Sequence, residues 1–161
     1  MHRTAALTLA ALLAATLAGP VAAQTAPAQP APAQAEWGDL AATMAAALGD
    51  PAGWEGGAFW MPDAAEPGRA REALAIVYPY IEGSAGSVGI EVAHFVRQGG
   101  GFAAAGRVQG LFGQSPRDIR FHPDRIELTT TMPNPGDPRC CPTGTARWAI
   151  PRANLVAQRI E

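Results

Sequence analysis

The chain has 161 residues, a formal net charge of −2, and apolar residue types at 48% of its positions. This length allows one domain with a modest hydrophobic core. The mild acidity excludes a surface that attracts nucleic acid or anionic lipid by charge, so we expect no nucleic-acid partner.

The N-terminus has the three parts of a secretory signal peptide. His2 and Arg3 give a positive start, residues 5–18 form an apolar run, and small residues at 21–23 form a cleavage site. The run is shorter than the roughly 20 residues of a membrane span, and an uncleaved anchor is the alternative. We therefore predict a signal peptide at 1–23 and a soluble periplasmic protein without a stable membrane anchor after cleavage.

The segment that follows, residues 24–35, consists almost entirely of Ala, Pro and Gln and has no charge. Such a segment cannot bury enough apolar surface to offset the entropy lost on ordering. We predict a disordered tether there, followed by a single globular domain at 36–161.

The start of the domain carries helix signals. Asp39 can cap a helix at 40–48, and Gly49 and Pro51 can end it. Residues 50–68 are punctuated by Gly, Pro and Asp, which predicts an irregular segment. The large aromatics in it, Trp54 and Trp60, are either a recognition platform or a cover over an open end of the core.

From residue 73 onward the pattern changes to that of strands. Apolar alternation and Gly-rich turns predict strands at 73–81, 88–97, 102–109, 125–132, 145–150 and 155–160. The predicted fold class is α+β, with a short N-terminal helix followed by an antiparallel meander of about five or six strands.

The only two cysteines, Cys140 and Cys141, are adjacent in the proline-rich segment 133–144, which predicts a shaped loop between two strands. An oxidising compartment favours a disulfide between them, although neighbouring α-carbons are closer than is usual for one. Four interpretations stay open. They are a structural vicinal disulfide, a redox-active one, a soft-metal thiolate site, and pairing with another chain or two free buried thiols.

No cofactor is expected, and no metal site is assigned. A zinc site would need two further ligands beside the cysteines, and His94 and His122 are the only histidines after the signal peptide. His94 falls on the apolar face of its strand, which favours a core histidine with a hydrogen-bond partner. Asp137 and Arg139 flank the cysteines: Arg139 could lower a thiol pKa, or Asp137 could cap the turn while Arg139 stays in water.

The segment Asp137-Pro138-Arg139-Cys140-Cys141-Pro142-Thr143 resembles a D-P-x-C-C-P-[ST] loop of uncharacterised exported bacterial proteins, including lipoproteins of the LppP/LprE type. The resemblance spans about residues 73–160. It implies a small exported domain and no established chemistry. The residues that we expect to support the cysteine loop are Asp137, Arg139, Pro142 and Thr143. This chain has no lipid-attachment cysteine.

The sequence contains no clear pattern of catalytic residues. Glu82, Glu91 and Glu127 lie on or beside strands without a sign of convergence, and Ser84 and Ser87 lack a nucleophile-elbow motif. We therefore predict that the chain is not an enzyme but a periplasmic domain that binds an unidentified envelope protein or ligand. The alternative is a thiol redox or soft-metal-binding protein that uses the two cysteines.

Overall fold

A computed structural model describes residues 37–138 and 140–161 of the chain. The predicted signal peptide and tether lie outside these residues. Within the described part, no helix combines the length and the apolar character that a membrane crossing requires.

One α-helix, α1 (Leu40–Leu48), has the bounds that the sequence predicted. The Asp39 side chain accepts a hydrogen bond of 2.9 Å from the Ala42 amide and so caps the first turn. At the other end Gly49 has φ +100° and donates its N–H to the Ala45 carbonyl. A short 3₁₀ turn, Pro51–Gly53, then leads into the first strand.

The described part has eight strands where the sequence predicted five or six, and they form two sheets where it predicted one meander. The strands are β1 (Trp54–Pro62), β2 (Glu72–Pro79), β3 (Glu91–Gln98), β4 (Gly101–Val108), β5 (Gln114–Phe121), β6 (Arg125–Met132), β7 (Gly144–Pro151) and β8 (Gln158–Arg159). Both sheets are antiparallel, with orders β1-β2-β3-β4 and β5-β6-β7-β8. The described residues are therefore mostly β, with one α-helix.

The two unpredicted strands carry residues that normally interrupt a strand. β1 occupies part of the segment predicted to be irregular, and Gly56 and Gly57, at φ +70° and +85°, lie where its register with β2 shifts. In β5, Pro116 removes a backbone donor, and Ser115 and Asp118 have positive φ. Both strands are bulged outer strands, in which glycine, proline and positive φ are tolerated. Because the same residues are typical of loops, the sequence predicted irregular segments there.

The predicted bounds agree with the observed ones for some strands and not for others. β6 has the predicted bounds 125–132, whereas the last predicted strand, 155–160, shrinks to Gln158–Arg159. Leu155 adopts φ +53° and is buried, and this turn conformation delays the strand.

The elements form three layers. α1 packs on one face of the first sheet, where Met44, Leu48, Val77 and Phe95 are the largest buried residues. The second sheet covers the other face. The core between the sheets contains Leu74, Ile76, Val92, Leu111, Ile126, Leu128, Ala146, Trp148, Ile150 and Leu155.

The two sheets are joined along one side. Gln109, just after β4, donates its amide to the Leu155 carbonyl and accepts from the Ala157 amide, at 2.9 and 2.8 Å. These bonds connect the β4 edge of one sheet to the chain entering β8 of the other. The outer strands at the opposite side, β1 and β5, flank a seam between the sheets.

Candidate functional site

The seam between β1 and β5 holds an apolar groove. Two adjoining pockets of about 550 and 530 Å³ share Tyr78, Val88 and Gln114 as lining residues. The lining is mostly apolar, and we call the whole set the seam groove. Its larger apolar members are Phe59, Met61, Ile76, Tyr78, Ile81, Val88, Ile90, Leu111, Phe112, Met132, Pro116 and Pro142.

Several of these side chains are unusually exposed for their type. Phe112 is 61% exposed, Ile81 is 50% exposed and Phe59 is 49% exposed. Phe59 contacts Tyr78 edge-on, with 6.0 Å between the ring centroids. A concentration of large exposed apolar groups in a concave site is typical of a binding surface.

The groove contains few polar groups. Tyr78 lies in both pockets, and burial raises the pKa of its hydroxyl, while a hydrogen bond with the Ser115 backbone partly offsets this rise. The tyrosine therefore stays neutral and can offer its hydroxyl as a donor or acceptor. Gln114 lines both pockets, whereas Glu55 and Ser115 line only the pocket that contains Phe59.

The cysteine loop forms the far wall of the groove through Asp137 and Pro142. The Asp137 carboxylate accepts hydrogen bonds of 2.7 Å from the Asn134 and Thr143 amides and one of 3.0 Å from the Thr143 hydroxyl. These bonds, led by the Thr143 amide, lower the pKa of Asp137. Asp137 thus closes the loop with its own side chain, and Thr143 is its partner.

The base of the loop is tightly packed. Met132 and Asn134 approach Gly144 so closely that a Cβ there would lie 2.7 Å from the Met132 carbonyl and 2.5 Å from Asn134 Oδ1. A larger residue at 144 would displace the loop from the end of β7.

Cys140 and Cys141 lie at the tip of the loop as exposed thiols that are not joined to each other. A hydrogen bond with Cys140, together with partial desolvation, raises the pKa of the Cys141 thiol. The vicinal disulfide therefore stays a prediction for the oxidised protein. Arg139 lies outside the described residues, and so does its predicted influence on the thiols.

The aromatics singled out in the sequence pack elsewhere. Trp54 and Trp60 join the cluster under α1, on the face of the first sheet opposite the seam groove. The Trp60 ring lies 5.2 Å from that of Phe95 and 5.1 Å from that of Phe102, measured between centroids. Their packing matches the interpretation that they cover the core.

Near the other end of the core, a charged cluster joins the two sheets. The sequence did not predict this cluster. Glu72 at the start of β2 accepts two hydrogen bonds from Arg152, which follows β7. Buried His94 of β3 lies 2.8 Å from the same carboxylate through its Nε2. His94 is thus a core histidine with a partner. Nothing in the sequence marked Glu72 or Arg152, because they are 80 residues apart.

The catalytic arrangements considered from the sequence do not assemble among the described residues. The Ser84 hydroxyl accepts from the Ser87 amide and donates to the Ile81 carbonyl, so it is part of a turn. Glu91 pairs with Arg107, and Glu127 pairs with Arg125 and Arg147 on the outer face of the second sheet. Over the same residues, no group of three or more His, Cys, Asp or Glu side chains is arranged to hold a metal ion.

The seam groove itself was not found from the sequence. Its residues come from segments 55–61, 76–90, 111–116 and 131–142, which only the sheet pairing brings together. The only sequence signal was apolar residues in predicted loops, such as Phe112 in the segment Gly110-Leu111-Phe112-Gly113.

Comparisons of the chain with protein-family models, with curated proteins and with solved structures gave no match.

Proposed function

We propose that the chain is an exported, non-enzymatic periplasmic domain that binds an envelope partner or ligand in the seam groove. The observation that carries this proposal is the groove itself, which is apolar, open and larger than a water site. Export rests on the N-terminal signal sequence.

Energetics support a binding role for the groove. Phe59, Ile81 and Phe112 keep about half or more of their surface in water. Each Å² of apolar surface that a ligand covers would contribute about 25 cal/mol, so a ligand that fills the groove gains from side chains that folding leaves exposed.

The cysteine loop suits the role of a fixed wall. Asp137 bonds to both ends of the loop, and Pro142 faces the groove from a backbone with restricted φ. A wall that is already ordered loses less entropy when a ligand binds. The predicted Cys140–Cys141 disulfide would stiffen the same loop further.

Fluorescence titration with N-phenyl-1-naphthylamine, a neutral apolar dye, tests the proposal. We expect saturable binding to the mature protein with a blue-shifted emission. Ile81→Ser should weaken this binding several-fold, while Ile160→Ser should not, because Ile160 has a similar exposure of 45% against 50% but does not line the groove. Absence of saturable binding, or equal effects of both variants, would contradict the proposal.

A second candidate function uses Cys140 and Cys141 for thiol redox chemistry or soft-metal binding. Their adjacency and exposure favour it, since both sulfur atoms can reach a soft metal ion. The raised pKa of the Cys141 thiol disfavours it, because redox thiols act as thiolates. Replacing both residues by Ser separates the two functions: the binding proposal expects a lower melting temperature and retained dye binding, and the thiol function expects an unchanged fold and lost metal or redox activity.

A further inference from the structure

We infer that the occupant of the seam groove is the linear acyl chain of an uncharged or cationic amphiphile. This inference rests on the proposed binding function and identifies the class of ligand. It follows from two features of the groove. One is the irregular backbone of the two strands that flank it, and the other is the charge of its lining residues.

The β5 flank of the groove is poorly suited to pairing with an extended peptide. Pro116 has no N–H to donate, and Ser115 and Asp118 have φ of +49° and +53°. Its register with β6 shifts twice, between Gln114 and Arg117 and between Arg117 and Arg120. Proline and bulges on an outer strand are devices that prevent strand addition.

The β1 flank offers only a short regular edge. Gly56 and Gly57 have φ of +70° and +85°, and the pairing of β1 with β2 is interrupted between Trp54 and Ala58. A peptide strand needs a regular row of donors and acceptors, which β5 does not present and β1 presents only over Ala58–Pro62, where Pro62 has no N–H. The occupant must therefore be held by apolar contact, as an acyl chain is.

The charges of the lining restrict the head group. Among the described lining residues only Glu55 and Asp137 carry charge, and both are acidic. The Asp137 carboxylate already bonds to the loop, whereas Glu55 is exposed. An anionic head group would meet repulsion without a compensating arginine among these residues, and a neutral or cationic one would not.

The distribution of polar groups orients the ligand. Glu55 and Ser115 line only the pocket at the β1–β5 end. The carboxylate of the other pocket, that of Asp137, is already bonded to the Asn134 and Thr143 amides. The head group therefore sits near Glu55, and the chain runs between the sheets toward the cysteine loop.

Displacement of bound N-phenyl-1-naphthylamine from the mature protein tests this ligand class. The competitors are dodecylamine, glycerol monododecanoate and dodecanoate, which share one chain length, and a capped peptide of alternating valine and threonine, all below their aggregation concentrations. We expect the amine and the glyceride to displace the dye at concentrations at least about tenfold lower than dodecanoate, with no displacement by the peptide.

Two variants locate the head group. Glu55→Gln should weaken competition by dodecylamine several-fold and leave that of the glyceride unchanged, and Glu66→Gln, an exposed carboxylate outside the groove, should change neither. Displacement by the peptide, or dodecanoate as strong as the amine, would overturn the inference while dye binding still supports the proposed function. Failure of the dye to bind would instead overturn the proposed function, and the ligand class with it.

Discussion

Arg152 donates two hydrogen bonds to the carboxylate of Glu72 and thereby joins the second sheet to the first. The bond from Nη2 to Oε1 measures 2.7 Å, and Nη1 binds Oε2. Arg152 Nε also donates to the His122 carbonyl at 2.8 Å, which fixes its guanidinium against its own sheet. His94 contacts the same carboxylate. The Arg152–Glu72 pair therefore holds the two sheets together in addition to their apolar core, at a place away from the seam groove.

Removing the arginine should therefore destabilise the fold. Arg152→Met leaves Glu72, whose side chain is only 15% exposed, without its bidentate partner. We expect the free energy of unfolding to fall by about 2–3 kcal/mol, as for hydrogen-bonded charges that lose a partner. Arg69→Met is the control, because Arg69 and Glu66 form an exposed pair at 3.8 Å, and urea denaturation should show no measurable change. Equal effects of the two substitutions would contradict the inter-sheet role.

The same carboxylate should make stability depend on pH. Burial raises the pKa of Glu72, but hydrogen bonds from Arg152 and His94 lower it more, so its net pKa lies below the ordinary 4.5. Its contribution is thus complete above pH 4.5 and is lost as the pH falls through the pKa of the folded protein. Urea midpoints of the wild type and Glu72→Gln, measured from pH 7 down to pH 3, should converge toward acid.

A control separates Glu72 from general acid effects. Glu66→Gln removes a carboxylate whose one ion pair within residues 37–138 and 140–161 is the exposed pair with Arg69. Its urea midpoints should run parallel to those of the wild type over the whole range. If the Glu72→Gln curve also stays parallel to the wild type, the pKa of Glu72 does not govern acid stability.

A buried hydroxyl beside the seam groove, that of Thr130, should contribute to the free energy of unfolding. Thr130 is fully buried, accepts from Trp148 Nε1 at 2.8 Å and donates to the Phe112 carbonyl at 2.9 Å. Thr130→Val keeps the shape but leaves both groups unpaired, so we expect a loss of about 1–3 kcal/mol in thermal or urea unfolding. Thr129→Val, on the outer face of the same strand, should stay within about 0.5 kcal/mol. If the two variants unfold with the same free energy, the hydrogen bonds of Thr130 do not stabilise the fold.

The proposed export to an oxidising compartment predicts that Cys140 and Cys141 are oxidised. We expect the intact mass of protein purified from the periplasm without reductant to be two hydrogen atoms below that of the dithiol form. The mass should correspond to a chain that begins at Gln24, and the thiols should resist alkylation until a reductant is added. Two thiols that alkylate at once in denaturant would remove the vicinal disulfide and strengthen the metal-binding alternative.

The helix and most strands could be predicted from the sequence because their signals are local. The Asp39 cap and Gly49 bound α1 within one short segment, and apolar alternation defined β6 residue by residue. β1 and β5 escaped prediction because glycine and proline in a bulged outer strand look the same as in a loop. The pairing that stabilises these strands comes from neighbours far along the chain.

The sequence by itself determined the helix and the position of the cysteine loop, and it predicts the export signal, since each depends on residue types at neighbouring positions. Only the tertiary structure decided that the strands divide into two sheets, that Arg152 meets Glu72, and that a groove opens between β1 and β5. The physical reason is that sheet pairing and apolar burial act between distant segments. Which faces meet depends on the packing of the whole chain and leaves no periodic mark in any one segment.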